Sequence, residues 1–266
     1  LKHGRDYSWI KRAVAIILRF DRGMIRSRAV NLIVLHPDDF IGEGAVRLTG
    51  RRADHVRTVH RAAPGEALRV GLLNGKIGTG VVRNPDGTDL IMSVTLSADP
   101  PAPVPVTLLL AMPRPKVFRR VIQCATSLGL KRITLFGAFR VEKSYWQSPW
   151  LDPDELRHQM ILGLEQACDT VLPEVTLHPH FKPFVEDVIP LLTQGTRCLV
   201  AHPGRGGLCP AAIPGPVSLA IGPEGGFTDY EIERLVGAGF EPVTLGPRIL
   251  RTEQAVPALL GRLLAV

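Results

Sequence analysis

The chain is predicted to be an α/β protein with a mostly parallel sheet, preceded by a smaller β-rich domain. Three observations predict this. Apolar strand patterns and helical patterns alternate from residue 106 to the C-terminus. A proline-dense stretch, Asp99-Pro100-Pro101-Ala102-Pro103-Val104-Pro105, divides that half from what precedes it. Upstream, two apolar runs flank Asn74-Gly75, a hairpin signal. Strands alternating with helices imply a parallel sheet covered on both faces. A hydrophobic content of 45% is enough to fill such a core.

Residues 1–29 read as a basic extension, non-native or mis-started, with the native start at Met24; a basic arm that touches RNA is the functional alternative. Residues 1–30 hold eight Lys and Arg against two Asp, so they carry +6 of the net charge of +7. The global charge therefore says little about the folded body. The apolar run at 13–18 ends at Arg19 and is short for a secretory signal. No apolar run reaches the ~18 residues of a spanning helix, so no membrane role is expected.

The small domain is placed at 30–98. It is read as a strand at 31–35, a helix at 51–60, strands at 68–73 and 76–82, and a strand at 91–96. Asn74-Gly75 supplies the positive φ angles of a two-residue turn. Between Arg47 and Arg83 eight basic residues face two acidic ones, Asp54 and Glu66. Such a patch suits phosphate contacts, with a solvated basic face as the plain alternative. Residues 99–105 form the linker, because proline at this density excludes helix and central strand.

The large domain is placed at 106–266. Its strands are read at Val106–Ala111, 133–136, 174–177, Arg197–Ala201, Val217–Ile221 and 243–245. Its helices are read at 116–128, 154–170, 184–192, 229–239 and from Thr252 onward. Cys124, Cys168, Cys198 and Cys209 have no C-x-x-C spacing, which fits a reduced, cytoplasmic protein without structural zinc. His178 and His180 lie among prolines and read as a turn, so no metal site is expected.

The chemistry concentrates in two loops. Gly222-Pro223-Glu224-Gly225-Gly226 follows a buried strand and precedes a helix; glycines there let backbone approach a ligand closely. Leu245-Gly246-Pro247-Arg248-Ile249-Leu250-Arg251-Thr252-Glu253 leads into the last helix. Neither G-x-G-x-x-G nor G-x-x-x-x-G-K-[ST] occurs, so dinucleotide and phosphate-loop readings have no support. Two such loops at neighbouring strand ends make a ligand crevice. Arg251 at a helix N-terminus opposes the macrodipole, which points to a ligand or partner there.

Over roughly residues 30–264 the chain resembles the RsmE family of 16S ribosomal RNA uracil-N3 methyltransferases, of the SPOUT class. The matching stretches are RLTGRRADHVRTVHR, AMPRPKVFRRVIQCATSLGL, FRVEKSYWQS, GLEQACDTVLPEV, IGPEGGF and LGPRILRTE. The resemblance implies a PUA-like β-barrel that binds RNA, then a SPOUT methyltransferase domain with a trefoil knot, in a cytoplasmic homodimer acting on the small ribosomal subunit. It implies S-adenosylmethionine bent among three loops. Ala201, His202 and Pro203 would come from the first, and Gly222, Pro223, Glu224, Gly225 and Gly226 from the second. Leu245, Gly246, Arg248, Ile249 and Leu250 would come from the third.

Uracil N3 carries a proton at neutral pH, so transfer needs a proton acceptor and stabilisation of the developing oxyanion. Glu224 or Glu253 is the candidate acceptor, and Arg251 or Arg140 the candidate stabiliser. Arg51, Arg52, His55, Arg57, Arg61, Arg114, Arg140 and Lys143 are candidate RNA contacts, and Tyr145 and Trp146 offer stacking. Family members usually read T-E-L-G at 126–129, where Ser127 stands here in place of Glu. They usually read E-Q-(S/C)-G-R at 165–169, where Cys168-Asp169 replaces Gly-Arg, and Thr at 254, where Gln254 stands. The missing Glu and Gly-Arg are expected near the substrate side. These departures leave two rivals, a methyltransferase of another RNA such as transfer RNA and a non-catalytic RNA-binding or assembly factor. A small-molecule α/β enzyme has little support.

Overall fold

The computed structural model describes residues 31–84 and 89–264. The expected basic extension, residues 1–29, lies outside the described residues.

The N-terminal half folds around one six-stranded sheet. Its strands are β1 (Ile33–Leu35), β2 (Phe40–Gly42), β3 (Ala45–Leu48), β4 (Ala67–Leu72), β5 (Ile77–Asn84) and β6 (Leu90–Ala98). Their order is β1-β4-β5-β6-β3-β2, with β1 parallel to β4 and the other pairs antiparallel. Helix α1 (Gly50–His55) continues into a wider π turn, Val56–His60. Ala53 and Val56 pack it onto Leu35, Val46, Leu48, Leu68 and Val70. The β4–β5 hairpin differs from expectation at its tip. Leu72 pairs back to Lys76, so three residues turn the chain, and of the Asn-Gly pair only Asn74 takes positive φ, at 57°.

Coil over 99–105 leads to a seven-stranded sheet. Its strands are β7 (Val106–Ala111), β8 (Arg132–Phe136), β9 (Glu174–His178), β10 (Arg197–Ala201), β11 (Gly207–Leu208), β12 (Val217–Ile221) and β13 (Glu241–Thr244). Every pairing is parallel, in the order β11-β13-β10-β12-β7-β8-β9. Strands β7 and β12 lie at the centre and bury every residue, which is why they read as unbroken apolar runs.

Helices cover both faces. Leu108 and Leu110 of β7 point to one face, against α2 (Pro115–Ser127) through Phe118 and Ile122 and against α6 (Thr252–Leu263) through Val256 and Leu260. Helix α3 (Pro153–Ala167) joins this layer with Met160. Leu109 and Ala111 point to the other face, where α4 runs through Phe181–Pro183, Phe184–Val188 and Ile189–Leu192 beside α5 (Asp229–Gly237). Because all strands run the same way, every strand-to-helix loop lies along one edge of the sheet. Every helix-to-strand loop lies along the opposite edge.

That opposite edge meets the N-terminal sheet. Leu32, Val34 and Leu73 pack on Ile161 and Leu164. Asn74 donates its backbone N–H to Thr170 O (2.8 Å), and its Oδ1 accepts from Leu172 N (2.9 Å). Ser127 and Cys168-Asp169, expected near the substrate side, lie at this edge. Both segments are helix-to-strand connections, away from the strand ends that carry the glycine loops. Cys168 ends α3 in the left-handed region at φ 54°, a conformation that costs a non-glycine residue about 1–3 kcal/mol. Asp169 is buried and bonds Lys131 Nζ at 2.5 Å.

Candidate active site

Three loops from the ends of β10, β12 and β13 enclose a cavity of about 350 Å³. This falls in the range of small-molecule sites. Of the residues expected to hold a cofactor, Ala201, His202, Pro203, Gly222, Pro223, Glu224, Gly225, Gly226, Leu245, Arg248, Ile249 and Leu250 all line it. Gly246 is not in the lining; its φ of 116° turns the third loop instead. Ile221, Phe227, Val243, Thr244, Arg251, Thr252, Ala255 and Leu259 complete the wall. Sequence reading did not name these as cofactor contacts, although Ile221 and Phe227 lie within IGPEGGF and Arg251 and Thr252 within LGPRILRTE.

The lining suits a compact ligand with an apolar body and charged ends. Ile221, Phe227, Val243, Leu245 and Leu259 give an apolar floor. Ile249, 81% exposed, offers a bare apolar surface at the mouth. The N-terminus of α6 opens into the wall at Thr252, and with Arg248 and Arg251 it sets positive potential beside the floor. Arg251 is exposed, and its backbone N–H meets Gln254 Oε1 at 3.4 Å, so the departure at 254 still serves to cap α6.

Glu224 is held rather than free. Its Oε1 accepts the backbone N–H of Arg114 at 3.0 Å, which ties the loop after β12 to the start of α2. Helix α5 has its own cap, Thr228, whose Oγ1 accepts from Glu231 N at 3.3 Å. Glu253 is half-buried on α6 and lies outside the cavity lining. Arg140 donates a guanidinium N–H to Gly225 O and stands against the cavity loop. Arg114, Arg140 and Lys143 are all exposed on the edge that carries the cavity. Beside them the Tyr145 hydroxyl donates to Glu142 Oε1 at 3.0 Å. Burial pushes the Tyr145 phenol above its ordinary range, Glu142 adds to this, and Arg114 opposes it.

The basic residues of the N-terminal sheet fare differently. Arg52 makes a forked ion pair with the buried Asp39 (2.5 and 2.7 Å) and also bonds Val34 O (3.0 Å). Arg51 forks onto Glu165 of α3 at 3.1 Å on both oxygens, clamping the two sheets together. Arg57 faces Asp54 at 3.6 Å. His55 sits edge-on to His60, with ring centroids 4.8 Å apart. Burial lowers the His60 pKa, and His55 presses the same way, so His60 adds no standing positive charge. Arg61, exposed at the left-handed end of the π turn, has its side chain in solvent. Among the described residues no cluster of three or more His, Cys, Asp or Glu is arranged to hold a metal. No helix among them is long and apolar enough to cross a membrane.

A family model described as an RNA methyltransferase domain matches residues 100–264. The ribosomal RNA small subunit methyltransferase E of Treponema pallidum is 30% identical over 240 residues, covering 88% of this chain and 90% of the relative. The protein of the same name in Synechocystis is 31% identical over 240 residues, covering 88% of this chain and 77% of the relative. A Legionella pneumophila protein solved in complex with the bound cofactor S-adenosylmethionine aligns with a TM-score of 0.67 at 25% identity, over 89% of this chain and 98% of that one. The parallel sheet, the three-loop cavity and the matched family model define an α/β RNA methyltransferase domain. The chain belongs to the family of the ribosomal RNA small subunit methyltransferases E.

Proposed function

We propose that this protein methylates N3 of a uridine in small-subunit ribosomal RNA, using S-adenosylmethionine. The observation that carries this is the cavity walled by the GPEGG and LGPRILRTE loops, in a chain whose relatives are named ribosomal RNA small subunit methyltransferases. The loop residues 201–203, 222–226, 245 and 248–250 would hold the cofactor. When bound, it supplies an electrophilic methyl group on a positively charged sulfur.

The rest of the reaction falls to the protein's own residues. Alignment of two bound reactants supplies a large share of such a rate. Arg251, at the mouth of the cavity, stabilises the negative charge that develops on uracil as N3 loses its proton. Glu224 lines the cavity and Glu253 does not, so Glu224 is the better placed acceptor for that proton. Arg114, Arg140 and Lys143 hold phosphates along the same edge. The uridine must be unpaired, because N3 is sealed inside a duplex.

The same reading divides the chain into an RNA-binding, PUA-like barrel before residue 99 and a knotted SPOUT domain after residue 105. It makes the protein a cytoplasmic homodimer. The test is transfer of labelled methyl from S-adenosylmethionine to assembled small subunits, naked 16S RNA and transfer RNA, with the modified nucleoside identified by mass spectrometry. The expected product is N3-methyluridine in the ribosomal RNA. Label confined to transfer RNA, or none in any substrate, would contradict the proposal.

A further inference from the structure

The edge of the sheet that carries the cavity also carries an aromatic ring that the cavity does not use. Phe139, in the loop after β8, is 83% exposed, the highest value among the described large hydrophobic residues. Its loop is nevertheless held at every step. Gly137 donates its N–H to His178 O (2.9 Å), and a side chain at Gly137 would collide with Pro179 O. The Phe139 N–H meets Glu231 Oε1 at 2.6 Å. The next residue, Arg140, is bonded to Gly225 O, and Val141 N–H closes the turn onto Ala138 O at 3.0 Å. Ala138 and Val141 pack into the core. Glu231 itself is buried and fixed by Thr228 N (2.8 Å) and Thr228 Oγ1 (2.9 Å). The backbone is anchored to the core while the ring stands in solvent.

The surroundings indicate what covers the ring. In strand order, the loop after β13 carries Arg248 and Arg251, the loop after β7 carries Arg114, and the loop after β8 carries Arg140 and Lys143. Glu142 in that last loop, which accepts from the Tyr145 hydroxyl, and Glu224 in the loop after β12, which accepts from the backbone N–H of Arg114, are two acids set against these five cations. Strands β12 and β8 are separated by β7 alone, so their loops lie about 10 Å apart at the usual inter-strand spacing. A row of guanidiniums beside a rigidly presented ring matches a single nucleic-acid strand, with phosphates on the cations and a base on the ring. We propose that Phe139 is a stacking platform for an unpaired base flanking the methylated nucleotide, on an RNA strand laid along this edge. The proposal rests on the methyltransferase reading above.

The test compares wild type, Phe139→Ala and Phe139→Trp on a single-stranded fragment of small-subunit RNA. The fragment carries 2-aminopurine beside the uridine identified by the methyl-mapping assay. Phe139→Ala is expected to weaken RNA binding roughly 5- to 150-fold, the span of one lost base–aromatic stack. It should also abolish the quenching of 2-aminopurine seen with wild type. Cofactor affinity and sedimentation should stay unchanged, and Phe139→Trp should restore both binding and quenching. Wild-type RNA affinity and quenching in Phe139→Ala would overturn the assignment. Dissociation of a dimer by Phe139→Ala would overturn it too, by making a second copy the cover of the ring. A wild type that methylates assembled small subunits yet shows no quenching of the fragment would overturn this inference alone, and one that methylates no ribosomal RNA in any form would overturn the methyltransferase reading and this inference with it.

Discussion

Asp169→Ala is expected to destabilise the protein by about 3–5 kcal/mol, the cost of stranding one partner of a buried ion pair. Asp169 and Lys131 have side chains only 4% and 12% exposed, and their charged atoms meet at 2.5 Å. Asp169 Oδ1 also accepts from Thr170 N (2.6 Å) and Val171 N (3.0 Å), so alanine orphans two backbone donors as well as the ammonium. The carbonyl of Val171, 2.6 Å from Lys131 Nζ, cannot neutralise the charge left behind. For a chain of this size the melting temperature should fall by roughly 10 °C. Urea unfolding of wild type, Asp169→Ala and the double variant Lys131→Met, Asp169→Leu checks this. The double variant should lose much less, because neither charge remains. A single variant that melts within a degree or two of wild type would show that the pair carries no such weight.

Arg251→Ala is expected to lower kcat roughly 10²- to 10³-fold, the usual cost of removing a donor aimed at developing negative charge. The same variant should keep cofactor affinity within a few-fold. Arg251 starts α6, where its charge works against the helix dipole, and it lines the cavity from an exposed position. Its place is therefore better explained by charge that develops during reaction than by helix stability. Arg251→Lys should recover part of the rate. Single-turnover kinetics alongside calorimetry separates the two quantities. Equal turnover in Arg251→Ala and wild type would remove Arg251 from the chemistry. A large loss of cofactor affinity would reassign it to cofactor binding.

The central strands Val106–Ala111, Arg197–Ala201 and Val217–Ile221 were legible in the sequence to the residue, because strands in a parallel sheet are buried on both faces or nearly so. Helix α6 was legible from Thr252 for a similar reason: its apolar spacing starts there. Strands β2, β3 and β11 went unread. They are two to four residues long and exist only because a partner pairs with them. Helix α3 stopped at Ala167, short of the expected Thr170, because Cys168 turns left-handed and frees Asp169 to reach Lys131.

The site divides in the same way. Twelve of the thirteen expected cofactor residues line the cavity because each loop is contiguous in sequence, so a motif of five to nine residues contains its own geometry. Charge could be counted in the sequence, but its partners could not. Arg52 spends itself on Asp39 and Arg51 on Glu165, 114 residues away. The Thr228–Glu231 capping box has a readable spacing, yet the reach of Glu231 to Phe139, 92 residues distant, does not. For that reason the ring at Phe139 acquires meaning only in three dimensions.

The most direct test of the account is calorimetric titration of S-adenosylmethionine into the folded protein, with Gly225→Val as the comparison. Gly225 lines the cavity, and a Cβ there would lie 3.0 Å from Arg140 Cδ, so valine must displace Arg140 or enter the ligand space. Wild type is expected to bind S-adenosylmethionine saturably. Affinity at least about tenfold weaker is expected in the variant, a loss of some 1.4 kcal/mol, with an unchanged melting temperature. Equal binding by Gly225→Val would contradict the placement of the cofactor. No binding by well-folded wild type, with or without small-subunit RNA, would contradict the function.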